Sequence, residues 1–157
     1  MKKALVVLTM VLSMTAMAAK VGYINSGEIF QKYSKTAELR KNLNKEKVRL
    51  ENEIKTKEVK LQKMQLDLQS KGNKVTEQDK KNFQKQVETL QKFVKDSQTK
   101  LRKEEMTRVT EIDKILKKAI DKIAKSEKAD YIFEGEIMRF GGINYTSKVL
   151  SEMEKNK

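Results

Sequence analysis

The chain has 157 residues, 36% of them charged and 38% hydrophobic, with 35 lysines and arginines against 22 acids for a formal charge of +13, and it lacks proline, cysteine and histidine. Without cysteine there is no disulfide framework, thiol nucleophile or cysteine metal site, and without histidine a zinc site would need carboxylates alone, which sets aside metalloenzymes and histidine-based catalysts. So polar a chain of one-domain length suits an elongated shape better than one compact core.

Met1-Lys2-Lys3, an apolar run from Ala4 to Met14 and small residues at Ala16-Met17-Ala18 have the three parts of a secretory signal. The alternative, a membrane anchor, would need about 20 apolar residues to span a bilayer, and this run is shorter. Residues 1–18 are therefore expected to be a signal peptide cleaved after Ala18, leaving an exported, soluble chain of charge +11 once Lys2 and Lys3 are gone. In a compartment without nucleic acid, so basic a chain is expected to meet anionic lipid head groups, lipopolysaccharide or acidic polypeptides. The bland reading is that the lysines only solvate a long helical surface.

Lys20 to Asn25 is rich in β-formers and is expected to be a strand, with Gly22 inside it hinting at close backbone approach. Ile29, Phe30 and Tyr33 then recur at one-turn spacing, as in a short helix that packs its aromatic side onto the base. Ser34 or Thr36 is the expected cap of the long helix after it.

From about residue 34 to 126 one glycine, Gly72, interrupts some ninety residues at helical spacing. Upstream of it Leu39, Leu50 and Leu61 recur every eleven residues, as do Ala37, Val48 and Val59, and Leu43 and Ile54 share the interval. Eleven residues make three turns of about 3.67, so the spacing predicts a stripe along a nearly straight helix. Downstream, Phe83, Val87, Leu90, Val94 and Leu101 form a seven-residue seam interrupted by Ser97. Ser70 to Lys74 reads as the break, and Thr76 with Asp79 as a capping box opening the second helix. The seam drifts near Glu104 and Glu105 and resumes with Val109, Ile112, Leu116, Ala119 and Ile123, broadened by Ile115 and Ile120.

Past Lys128, Tyr131-Ile132-Phe133 suits a strand covered on both faces, and the alternation from Glu136 to Phe140 suits another, closed by Gly141-Gly142. Thr146 is the expected cap of a last helix through Val149, Leu150 and Met153. The fold class is thus α+β: a helical hairpin arm (34–126, tip near 71–76) on a small β body (19–33 and 127–157). Three short strands leave edges and apolar faces open, which oligomerisation would cover by closing several sheets into one barrel. Val21, Tyr23, Ile24, Tyr131, Ile132 and Phe133 are the candidate body contacts.

Val21-Gly22-Tyr23-Ile24-Asn25 with Ile29-Phe30, the lysine-rich hairpin, Asp130-Tyr131-Ile132-Phe133 and the terminal helix from Thr146 to Leu150 together resemble the Skp/OmpH family of periplasmic chaperones across the whole exported chain. The resemblance implies a homotrimer whose barrel body carries three helical tentacles around a cavity that holds unfolded outer-membrane proteins, a holdase that uses no ATP and no cofactor. The segment Phe140 to Asn144 departs from the proline and aspartate common in the family, which bears on its local geometry. The family's lipopolysaccharide-binding cluster has no residue-by-residue match here.

A client kept unfolded and soluble needs weak, plural, exchangeable contacts in a sheltered volume. Met64, Leu68, Phe83, Val87 and Met106 are the candidate contacts, unbranched methionine being the most adaptable, although ordinary seam packing explains each methionine as well. Residues 71–85 hold Lys71, Lys74, Lys80, Lys81 and Lys85 against Glu77 and Asp79, a basic tip of local charge +3 that would steer acidic clients or touch head groups, or simply be solvated. Asn144-Tyr145-Thr146 fits a glycosylation acceptor only weakly. No nucleophile with a base partner stands out, so no enzyme is expected. The competing classes are an exported structural coiled coil, such as an envelope spacer or adhesin, and a nucleic-acid binder, which the missing aromatic interleaving disfavours.

Overall fold

The computed structural model describes residues 19–155; the expected signal peptide lies outside them. The elements in order are β1 (Val21–Ile24), α1 (Ser26–Lys32), α2 (Ser34–Lys71), a 3₁₀ turn (Gly72–Lys74), α3 (Glu77–Glu127), β2 (Tyr131–Glu134), β3 (Ile143–Asn144) and α4 (Thr146–Glu154). α2 and α3 have 38 and 51 residues, which at about 1.5 Å per residue makes arms of about 57 and 77 Å. The architecture is the expected one: a long helical hairpin rising from a small strand body.

Both ends of the chain meet in one sheet of order β2-β1-β3. β1 is central and pairs in parallel with both neighbours, Val21 opposite Tyr131 and Tyr23 opposite Phe133 on one side, Gly22 opposite Ile143 on the other. A parallel pair needs a long crossover, and the hairpin supplies it between β1 and β2. Gly22 has a packing reason: a Cβ there would stand 2.2 Å from the buried Tyr145 ring.

The core lies under the sheet, where Ile24, Ile29, Tyr33, Tyr145, Val149 and Met153 pack on Ile112, Leu116, Ala119 and Ile123 of α3. Full burial of each aliphatic side chain is worth about 1.5–3 kcal/mol, so this cluster anchors the arm to the body. Lys122 of α3 reaches the buried Glu152 carboxylate of α4 at 2.6 Å and ties the two helices, while Lys155, at the end of α4 itself, meets the same carboxylate at 3.1 Å.

Several local expectations are corrected. The strand expected over 136–140 is a turn, with Ile137 N–H donating to the Glu134 carbonyl at 3.1 Å and Met138 N–H to that of Gly135 at 3.1 Å. The pairing falls instead on Ile143–Asn144, after Gly141 and Gly142 at φ 77° and 82°. The chain must cross from one side of β1 to the other within residues 135–142, and the crossing consumes the alternating segment.

Neither Ser34 nor Thr36 caps α2, whose N-cap is Tyr33. The Ser34 N–H and hydroxyl donate to the Glu154 carboxylate at 2.8 and 2.7 Å, so a distant acid takes the capping role. Thr146 is not a cap either: its hydroxyl accepts from Asn25 N–H at 3.0 Å, while Asn144 Oδ1 accepts from Thr146 N–H at 2.9 Å. The capping box at Thr76 and Asp79 is present as expected.

β2 is covered on one face only, for Tyr131 and Phe133 stay 57% and 44% exposed. Val109 is exposed as well and does not join the buried stripe, and Ala37, Val48 and Val59 face outward rather than along the seam.

Candidate functional site

Two surfaces carry the functional candidates, the arm and the open face of the sheet. Along the arm, the inward rows of α2 and α3 are half-buried or buried: Leu39, Leu43, Leu50, Ile54 and Leu61 against Phe83, Val87, Leu90, Val94 and Leu101. Three cross-arm contacts fix the pairing. Lys100 meets Glu46 at 2.9 Å, Lys57 lies 4.9 Å from the centre of the Phe93 ring, and Lys71 meets Asp79 at 3.2 Å. In that register Met64 and Leu68 fall level with Val87 and Phe83, so four of the five candidate contacts belong to the inter-arm seam. Met106 is the exception, 63% exposed on the outer side of α3.

Around Met106 the outer face of α3 is open to solvent and bears Arg102, Lys103 and Lys114. Thr99, Thr107 and Thr110 donate their hydroxyls to the carbonyls four residues earlier, at 2.9, 2.9 and 2.8 Å, and are satisfied within the helix. The seam itself opens where its register was expected to drift: a cleft of about 310 Å³ separates Leu39 and Asn42 of α2 from Glu104, Arg108 and Ile112 of α3. A carboxylate at a seam position fills no hole in the facing helix.

At the tip the five lysines divide. Lys71 pairs with Asp67 at 3.0 Å and with Asp79, and Lys80 with Glu77 at 2.7 Å. The hydrogen bonds that Lys71 donates to Asp67 and Asp79 push its pKa up. Lys74, Lys81 and Lys85 are exposed and pair with no carboxylate among the described residues, so the field at the tip comes from these three. At mid-arm Glu46 is held down to about 2, first by Arg49 and then by Lys100.

The six candidate body residues separate by strand alternation. In the parallel register Val21, Tyr23, Tyr131 and Phe133 share the open face, whereas Ile24 and Ile132 turn toward the chain's own core. The Tyr131 and Phe133 rings stack with centroids 6.0 Å apart. Sequence reasoning missed Ile137 and Phe140, 72% and 96% exposed on the β2–β3 connection beside this face; their alternation was a strand signal that concealed a loop. The glycosylation pattern is taken up structurally, since Thr146 is buried and its hydroxyl engaged. Among the described residues no helix is long and apolar enough to cross a membrane.

Comparison with known proteins places these features in context. Residues 20–153 match the model of the family described as outer membrane protein (OmpH-like). The chain is 29% identical over 150 residues to the chaperone protein Skp of Photorhabdus laumondii subsp. laumondii, the alignment covering 87% of each. Among solved structures it is similar to an OmpH-like outer membrane chaperone from Caulobacter crescentus CB15, with a TM-score of 0.67 at 13% identity over 89% of this chain and 86% of that one. At that identity the likeness is one of fold.

Proposed function

Because the chain belongs to the OmpH-like outer membrane protein family, we propose that it is an ATP-independent holdase of the periplasm, neither enzyme nor cofactor carrier, that keeps unfolded outer-membrane proteins soluble between its arms. The observation that carries this reading is the joining of a long hairpin to a sheet whose second face leaves Tyr131 and Phe133 exposed in the single chain, with Val21 and Tyr23 half-buried beside them. Copies meeting on that face, three in the homotrimer implied by the family resemblance, cover it and set their arms around one cavity. Clients enter through weak contacts. Met106 is free to make them, whereas Met64, Leu68, Phe83 and Val87 become available as the arms part. Lys74, Lys81 and Lys85 attract acidic clients or anionic head groups at low salt.

The test is a native mass spectrum of Ala19–Lys157, alone and after a urea-denatured outer-membrane β-barrel protein is diluted into it. A trimer that takes up one client and keeps it in solution is the expected result. A dimer or filament that leaves the client to aggregate would overturn the reading in favour of an exported structural coiled coil.

A further inference from the structure

The eleven-residue interval of α2 is used twice, and only one use is spent on packing. Val48, Val59 and Leu66 are 46%, 44% and 58% exposed, and Ala37 is exposed too. At about 100° per residue these four lie within about 20° of one line, opposite the seam row of Leu39, Leu50 and Leu61, and the line runs about 44 Å along the arm. Between them stand Lys41, Lys55 and uncharged amides. No aspartate or glutamate of α2 comes within about 40° of the line; Glu51 is the nearest acid, about 60° away. The outward side of α3 at this level is different, bearing both signs of charge, with Lys92 paired to Asp96 at 2.6 Å.

The spacing selects the occupant. A helix of a second copy needs about two apolar residues per seven to build a seam, as α2 and α3 do with each other. The outward line offers one per two or three turns, too sparse for knobs and holes. An extended polypeptide fits better: eleven helical residues cover about 16.5 Å, which about five extended residues at about 3.3 Å each also span. Glu38 lies within one turn of Lys41, and Glu51 and Glu58 within one turn of Lys55, but within about 60° of the line Lys41, Lys45, Lys55 and Lys63 outnumber Glu51, and that positive balance suits carboxylates on the polypeptide.

We infer that the outward line of α2, from Ala37 to Leu66, is the arm surface on which an unfolded acidic polypeptide rests, its spaced hydrophobic residues on Val48, Val59 and Leu66 and its carboxylates near Lys41 and Lys55. This inference rests on the holdase reading and specifies which side of the arm serves it. Each contact is small and none is enclosed, so the client is held by number and exchanges readily.

The full exported chain with a photo-crosslinking amino acid in place of Val59, and separately of Lys92 as the control at the same level, is mixed with a urea-denatured acidic outer-membrane β-barrel protein and irradiated. The expected adduct is with the client at 59 and several-fold weaker at 92. The combined substitution V48Q/V59Q/L66Q, which keeps helix-forming residues at exposed sites, is expected to weaken capture about tenfold with helicity and oligomer mass unchanged. Adducts at 59 between two copies of this chain, equal client adducts at both positions, or unaltered capture by the triple variant would overturn the assignment. A parent chain that keeps the client soluble while the triple variant does so equally well defeats this surface alone; a parent chain that never holds the client defeats the holdase reading and this inference with it.

Discussion

The Asp79 carboxylate accepts from the Thr76 hydroxyl at 2.7 Å and backbone N–H at 3.0 Å, and from Lys71 at 3.2 Å, and these bonds, in that order, hold its pKa down to about 2. An unfolded aspartate titrates near about 4, so the folded chain binds this proton less readily. The stabilisation is then complete above about pH 5 and is lost as the pH falls through about 4 toward 2. Amide exchange, corrected for its intrinsic pH dependence, is expected to show the first turn of α3 losing protection between pH 6 and pH 2.5 while the amides of Ile112 to Ile123 keep theirs. Equal protection of that first turn at both values would mean that the box does not hold it. This cap was legible because its partners are three residues apart. The cap of α2 was not, because Ser34 depends on Glu154, 120 residues away, and no local pattern announces such a pair.

At the scale of elements, periodicity identified the hairpin and its inward rows but not their phase. Ala37 and Leu39 head rows of the same eleven-residue interval, yet two residues along a helix is a turn of about 200°, so one row faces the partner and the other faces away. Only the position of α3 decides between them. The drift of the seam at Glu104 had a physical counterpart, since the cleft of about 310 Å³ opens there. Glu104→Leu supplies the missing apolar side chain at that level and is expected to stabilise the hairpin by about 1 kcal/mol, roughly the worth of half-burying a leucine. A thermal midpoint that rises, with the same oligomer mass, would bear this out; one that falls would show that the cleft does not close on an apolar side chain. The turn at 136–140 was illegible for a related reason. Alternation marks residues whose sides differ in environment, and an exposed connection can alternate as readily as a strand does.

For the whole molecule, the decisive feature is a three-stranded sheet with one face on its own core and aromatic rings exposed on the other. The open face bears Tyr131 and Phe133, stacked 6.0 Å apart, with Val21 and Tyr23 beside them in register, and Ile137 and Phe140 stand exposed on the adjoining connection. Burying such a face between copies removes apolar area from water, whereas truncating its aromatic rings leaves Ile24, Ile132 and the helical core of each chain intact. Tyr131→Ser with Phe133→Ser is therefore expected to give a folded single chain: sedimentation velocity should show the mass of one copy with the helicity of the parent. Client capture should fall with assembly, because a lone arm encloses no volume, however well its own surface is formed. A double variant that still sediments as the parent oligomer would place the association elsewhere on the body, and one that captures clients as a single copy would mean that the arm, rather than a cavity between arms, is the unit of function.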